Sequence, residues 1–316
     1  MKPKVWMSWQ FAPQYMARLE AEAEVVTGGD MAQLPGAIAA VPRLADGAFM
    51  DAAGPSLKLI ARPGIGLDTV DLDAATERGI LVCHTPDAPT ESTAEHAVAL
   101  LMAVAKRVVV GDMHLRGANL DRSEMVGTEI MGRTLGVVGY GRIGRRVAEI
   151  CALGLKMKVL VYDPFIDLNQ PTPAGVTLTK DFDSVFSQGD FVTVHTPLTP
   201  ETRHSVGERE FRLMKKGSYL INASRGPVLD EAALIKVLQE GHLAGAGLDV
   251  FDPEPPEPDN PLLKMRNVVV TPHIASSTTT GLHAMFSGAV DQILQVIHGE
   301  RPTWLANREV WPGRMG

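Results

Sequence analysis

The sequence predicts an α/β protein of two doubly wound domains, the first discontinuous and closed by the C-terminal helix. Three observations carry that expectation. Short apolar runs alternate with helix-like stretches from end to end, the rhythm of strand–helix units around parallel sheets. A glycine turn at 139–144 opens a second strand–helix series midway along the chain. The clearest amphipathic helix comes last, where it can cross back to the first lobe.

Bulk properties agree. A chain of 316 residues is too long for one ordinary core and suits two domains. With 45% hydrophobic and 21% charged residues it is globular rather than disordered. A net charge of -7 and the lack of a Lys/Arg block argue against a nucleic-acid partner. Cys83 and Cys151 cannot form a disulfide framework, and each reads as a small buried hydrophobe in a reducing compartment. Met1–Gln10 lacks the continuous apolar core of a signal peptide, and the most apolar helical run, Ala97–Ala105, is too short to span a bilayer. The expectation is a cytoplasmic protein without a membrane partner.

In chain order, the first third offers strands at Val5–Met7, Ala48–Met50, Leu57–Ala61 and Ile80–Val82, with helices at Ala12–Glu22 and Asp71–Arg78 between them. A capping box, Ser92 with Glu95, opens a long helix that continues through Ala97–Lys106. Residues 108–131 lose periodicity. Strands then recur at Thr134, Lys158–Tyr162, Phe191–Val194, Ser218–Asn222, Ala244–Val250 and Asn267–Val270. Pro-rich Asp252–Pro261 is a loop by composition. In the last helix Leu282, Met285, Phe286, Ala289, Val290, Ile293, Leu294 and Ile297 fall at steps of three and four, and Gly299 supplies the stop. The division expected is 1–97 with 281–316 as one, discontinuous domain and 98–280 as the other.

The glycine turn has chemical content. In Gly139-Tyr-Gly141-Arg142-Ile143-Gly144, Gly139 allows the tight turn, Gly141 lets backbone approach a pyrophosphate, and Gly144 lets helix lie close to strand. The Arg142 and Ile143 amides then point at phosphate with the helix dipole behind them. Asp163, about twenty residues on and at the end of the next strand, suits both ribose hydroxyls and repels a 2′-phosphate, which favours NAD. Arg145 and Arg146 read as solvated helix residues.

Reducing a carbonyl by hydride needs an acid, a cation to hold a carboxylate, and a group to tune the acid. Three successive strand ends offer them: Ala223-Ser224-Arg225-Gly, the Asp249 to Glu254 segment, and Thr271-Pro-His273-Ile-Ala-Ser276. No metal is called for.

Taken together, the glycine turn with Asp163, His195-Thr196-Pro197-Leu-Thr-Pro-Glu-Thr202, Ile221-Asn-Ala-Ser-Arg225-Gly, Gly247-Leu-Asp249-Val-Phe-x-x-Glu254-Pro and Thr271-Pro-His273-Ile-Ala resemble the D-isomer-specific 2-hydroxyacid dehydrogenase family. Gly64-Ile65-Gly66-Leu-Asp68 and Thr93-Ala-Glu95 fit as well, so the match runs from about residue 57 to the last helix. The resemblance implies two Rossmann-like domains, the first flavodoxin-like, NAD as cofactor and a small 2-oxo or 2-hydroxy acid as substrate. It implies that Arg225 binds the substrate carboxylate and carbonyl oxygen, that His273 is the general acid in reduction, and that Glu254 favours the protonated imidazole. Ile65 and Gly66 amides would meet the carboxylate. By the same resemblance Asp249 and the Ala223 carbonyl belong to the nicotinamide side and Thr196 and Pro197 to the adenine side, while His195, Thr202, Ser224 and Ser276 also line the cofactor.

Formate-type relatives carry glutamine where Glu254 stands, so Glu254 argues for hydroxyacid chemistry; His84 departs from the asparagine of many members. Nothing resembling the regulatory C-terminal domain of some phosphoglycerate dehydrogenases follows Gly299. Trp9 and Phe11 offer a bulky wall favouring glyoxylate or hydroxypyruvate, while Arg62 either pairs with a second anionic group or braces the fold. The family resemblance also implies a homodimer, with Ala97 through Ile130 as the candidate contact. The readings left open are an NAD(H)-sensing, corepressor-like binding protein on the same fold, a phosphoglycerate dehydrogenase, and a formate- or phosphite-type hydride donor.

Overall fold

The structure is a computed structural model and describes residues 2–311. The chain forms two compact units, one of residues up to Pro89 together with those from Thr278 onward, the other of Thr90–Ser277.

The first unit carries β1 (Lys4–Met7), α1 (Pro13–Glu22), β2 (Glu24–Val26), β3 (Ala37–Val41), α2 (Gly47–Ala53), β4 (Leu59–Ala61), α3 (Leu72–Glu77) and β5 (Leu81–Cys83). All five strands are parallel in the order β2-β1-β3-β4-β5, the flavodoxin-like order. Alternate residues face opposite layers. Val5, Met7, Ala39, Val41, Leu59, Ala61, Leu81 and Cys83 share one core with α1 and the last helix; Trp6, Ala40, Ile60 and Val82 share the other with α2.

The second unit opens with α4 (Thr90–Ala105) and α5 (Val108–Leu115). It continues through β6 (Thr134–Val138), α6 (Arg142–Glu149), β7 (Lys158–Tyr162), β8 (Val176–Thr179), α7 (Phe182–Gln188), β9 (Phe191–Val194), α8 (Glu208–Leu213), β10 (Tyr219–Asn222), α9 (Glu231–Gln239), β11 (Gly245–Leu248) and β12 (Val268–Val270). The final helix, α10 (Thr279–Ile297), returns to the first unit. The second sheet is wholly parallel, β12-β11-β10-β9-β6-β7-β8, and its strand order reverses on either side of β6. Strands β9, β10 and β11 are buried along their length, as expected of a sheet covered on both faces.

Several sequence expectations change. Ala48–Met50 lies in α2, because the Asp46 carboxylate accepts from the Phe49 amide and starts a helix there. Helix α4 begins at Thr90, so Ser92 and Glu95 sit inside it rather than at its cap. That helix is continuous and lies on β10 and β11, which sets the division at 89/90 rather than 97/98. Part of the stretch at 108–131 is α5. Both cysteines are buried, and burial pushes the Cys151 thiol up to about 12. Among the described residues no helix is long and apolar enough to cross a membrane.

Candidate functional site

Strand β6 ends in the glycine turn. Gly139 takes a positive φ of 96 and donates its amide to the Tyr162 carbonyl at 2.8 Å, tying the turn to the end of β7. Asp163 completes that tie, its oxygens accepting from the Tyr140 and Phe165 amides at 2.8 Å each. Gly141 caps α6, and Arg142 and Ile143 form its first turn.

The space around the glycines tests the fit to a dinucleotide. A Cβ on Gly139 would lie 2.7 Å from the His195 carbonyl oxygen, and one on Gly144 only 2.0 Å from the Gly139 carbonyl oxygen. One on Gly141 meets nothing within 4 Å. Protein fills the outer two positions, and the middle one borders open space, as close approach of a pyrophosphate requires. Beside the turn, the enclosed His195 Nδ1 and Thr196 Oγ1 have no hydrogen-bond partner among the described residues. These features fit the group.

His195 Nε2 pairs with the Thr193 hydroxyl at 2.9 Å, and burial pulls the imidazole down to about 4, so it is neutral at neutral pH. Thr202 donates its hydroxyl to the Pro197 carbonyl at 2.7 Å and thereby closes the loop after β9. Arg145 and Arg146 are not simply solvated. Arg145 lies over the Tyr140 ring at 4.5 Å, and Arg146 pairs with Glu91 and Glu149.

The other three strand ends carry the reactive candidates. After β10, buried Asn222 shapes the loop: its Oδ1 accepts from the Ser224 amide and hydroxyl, and its Nδ2 donates to the Arg225 carbonyl at 2.9 Å. Arg225, half-buried, donates from Nη1 to the Ser224 carbonyl at 2.8 Å. Its neighbour Gly226 lies so near the next loop that a Cβ would fall 1.8 Å from the Phe251 carbonyl oxygen. That same segment leads on to Glu254.

After β11, the Asp249 side chain is wholly buried. It accepts from the Thr271 hydroxyl at 2.6 Å and from the Ile274 and Ala275 amides at 2.9 Å each. Burial raises its pKa, but the donors from His96, Thr271 and the two amides outweigh burial and hold it below the usual carboxylate range. After β12, His273 adopts a left-handed φ of 52 and donates its amide to the Asp249 carbonyl at 2.8 Å. Its Nδ1 contacts Glu254 Oε1, and both side chains reach solvent. Ser276 is half-buried on the same loop. No cluster of three or more His, Cys, Asp or Glu among the described residues suits a metal.

In the first unit, Ile65 and Gly66 lie in the loop after β4. Thr85 holds that loop through the Gly64 amide at 2.7 Å, and His84 Nδ1 donates to the Ile65 carbonyl at 3.1 Å, a bond the sequence did not foretell for this departure. Arg62 donates to the Pro42 carbonyl at 2.7 Å, the bracing alternative. Trp9 is half-buried, with the Arg43 guanidinium 5.8 Å from its ring centre. Phe11 is buried in the core against Phe286, ring centres 4.6 Å apart.

Sequence reading missed His96 and Asn222. His96 directly follows the recognised Thr93-Ala-Glu95, and Asn222 precedes the loop of Arg225. Adjacency to those motifs was the available signal.

Against known proteins, residues 98–275 match the model of the D-isomer specific 2-hydroxyacid dehydrogenase NAD binding domain. The chain is 44% identical to a D-3-phosphoglycerate dehydrogenase of Archaeoglobus fulgidus, over 84% of this chain but 51% of that protein. It therefore spans about half the length of that relative. It is 38% identical to a glyoxylate reductase of Korarchaeum cryptofilum, over 98% of this chain and 97% of the other. Among solved structures, the NADPH-dependent glyoxylate/hydroxypyruvate reductase of Sinorhizobium meliloti, in complex with NADP and malonate, superposes with a TM-score of 0.87 at 29% identity, covering 97% of this chain and 98% of that one.

Proposed function

The chain belongs to the D-isomer specific 2-hydroxyacid dehydrogenase family, and from that premise we propose an NAD-dependent enzyme interconverting a small 2-hydroxy acid and its 2-oxo acid, of the glyoxylate/hydroxypyruvate type. The observation that carries the reading is the contact of His273 with Glu254, beside the loop of Arg225. Bound NAD(H) supplies or accepts the hydride at C2.

The chain's own residues do the rest. His273 gives a proton to the carbonyl oxygen in reduction and removes it in oxidation. Glu254 stabilises the imidazolium and fixes the ring. Arg225 grips the substrate carboxylate and polarises the carbonyl, and the Ile65 and Gly66 amides add donors to the carboxylate. The Arg142 and Ile143 amides take the pyrophosphate, and Asp163 takes the ribose hydroxyls and disfavours a 2′-phosphate. His195, Thr196, Pro197 and Thr202 flank the adenine side; Ala223, Ser224, Asp249 and Ser276 serve the nicotinamide side. Trp9 limits substrate size, and Arg62 braces the loop after β3.

The working form is a homodimer in this reading. Val108, Val109, Met113, Leu115 and Val126, in and after α5, are exposed apolar residues, more than a free surface usually gathers. Leu120, in the same segment, is buried in the chain's own fold.

A steady-state screen tests the proposal: NADH consumption with glyoxylate, hydroxypyruvate and 3-phosphohydroxypyruvate, each repeated with NADPH. Turnover of the first two with NADH is expected. The 44% identity to the Archaeoglobus protein favours phosphoglycerate oxidation as the second reading, and preference for the phosphorylated substrate would decide for it. Tight NADH binding without turnover would refute both and leave a sensor.

A further inference from the structure

Strand β11 begins Gly245-Ala-Gly247, and those glycines set where α4 lies. A Cβ on Gly245 would come 2.8 Å from a Val104 methyl, and one on Gly247 2.9 Å from Leu100 Cβ. Helix and strand are therefore in closer contact than any larger residue would allow. Val104, Leu100 and His96 are spaced four apart and share one helix face. Moving back along that face from Val104 is moving forward along β11, so the turn that follows Leu100's contact brings His96 to Asp249.

There His96 Nε2 lies 2.9 Å from Thr271 Oγ1 and 3.4 Å from Asp249 Oδ1. The Thr271 hydroxyl has one proton and donates it to Asp249 at 2.6 Å. Both atoms facing Nε2 are thus acceptors, which puts a proton on Nε2 and makes His96 the donor. Asp249 in turn holds the Ile274 and Ala275 amides, immediately after His273. His273 needs holding, because a left-handed backbone is unfavourable for a residue with a Cβ.

We infer that His96 is a positioning residue for His273: its donated hydrogen bond fixes Thr271 and Asp249, which together hold the 273–275 backbone in its left-handed turn. The kinetic consequence rests on the dehydrogenase reading above; the structural one does not.

The test compares His96→Leu, which keeps bulk and removes the donor, with His96→Gln, whose amide N–H can reach where Nε2 stood. His96→Leu is expected to lower kcat about tenfold, with KM for NADH changed by less than about twofold. His96→Gln should recover most of the loss. In cofactor-free protein, amide hydrogen exchange at Ile274 and Ala275 should quicken about tenfold in His96→Leu and stay near wild type in His96→Gln. If the leucine variant does not fold, His96→Asn, too short to reach Thr271, takes its place. Wild-type kcat and wild-type exchange in the donor-less variant would overturn the inference, as would equal impairment of the Leu and Gln variants. An inactive wild type would refute the enzymatic reading alone, since the exchange arm still decides the role of His96.

Discussion

Adding one methyl group to each of two glycines should separate what the turn after β6 does for the fold from what it does for a ligand. In Gly144→Ala the new Cβ would lie 2.0 Å from the Gly139 carbonyl oxygen, and real contacts of this kind stay beyond 3.0 Å. The start of α6 must move by about 1 Å, against backbone that has no flexible side chain to yield. Overpacking of that kind costs about 3 kcal/mol, which for a domain of this size lowers Tm by roughly 6 to 12 °C. In Gly141→Ala the Cβ meets nothing within 4 Å, and a φ of -73 suits alanine. The cost there is a weaker helix cap, about 1 kcal/mol or less. The methyl group instead occupies the space assigned to the pyrophosphate, so NADH affinity should fall by about tenfold or more. Differential scanning fluorimetry and NADH fluorescence titration read the two effects. A Gly141→Ala protein that keeps wild-type Tm and wild-type NADH affinity would show that no pyrophosphate passes over this residue.

Removing the acid in His273→Gln should lower kcat by several orders of magnitude at neutral pH, and Glu254→Gln should lower it less, because the imidazole remains; near wild-type kcat in the first variant would exclude His273 as the proton donor. Asp163→Ala combined with an arginine close by should narrow the preference for NADH over NADPH, measured as the ratio of kcat/KM, and a wild type that already prefers NADPH would defeat the argument. Burial holds His195 at about 4 against an ordinary 6.5, so the unfolded chain binds its proton more tightly; the stability this residue contributes is complete above pH 6.5 and is lost as pH falls toward 4. Tm should drop across that window more steeply in wild type than in His195→Asn, and parallel curves would count against it. Light scattering at micromolar concentration should give twice the chain mass, with Leu115→Glu and Val126→Glu together shifting it toward the monomer.

How far the sequence reached depended on whether the deciding contacts were local. The strands of the second sheet were legible because runs such as Lys158–Tyr162 and Phe191–Val194 are rich in β-branched residues, which buried parallel strands favour. Strand β3 was not, since Ala37–Val41 is mostly alanine, the strongest helix former and a residue depleted in strands. Strands β2 and β8 sit at sheet edges, where half-exposed residues weaken the apolar signal. Ala48–Met50 looked like a strand because three apolar residues carry no period, and the Asp46 cap decided for helix. Arg225, Glu254 and His273 were legible from motifs within a few residues of each. His96 was not, because its partner Thr271 is 175 residues away and only the glycines of β11 bring helix and strand end together.

The broken sequence of the first unit constrains the order in which the protein can be completed during synthesis. All five strands of its sheet leave the ribosome early, but the layer that covers Val5, Val41, Leu59 and Leu81 includes Ala289, Val290, Ile293 and Leu305, translated only after the whole second unit. Asn307 then adds hydrogen bonds to the Val82 amide and the Ile80 carbonyl, each across more than two hundred residues. The second unit is continuous and can bury its own cores while the earlier sheet still waits with one apolar face covered only by α1. Nascent chains paused anywhere between residues 90 and 278 thus present sticky β-structure to their surroundings, a window in which holding chaperones have most to bind. The last segment made is the one that ends that exposure.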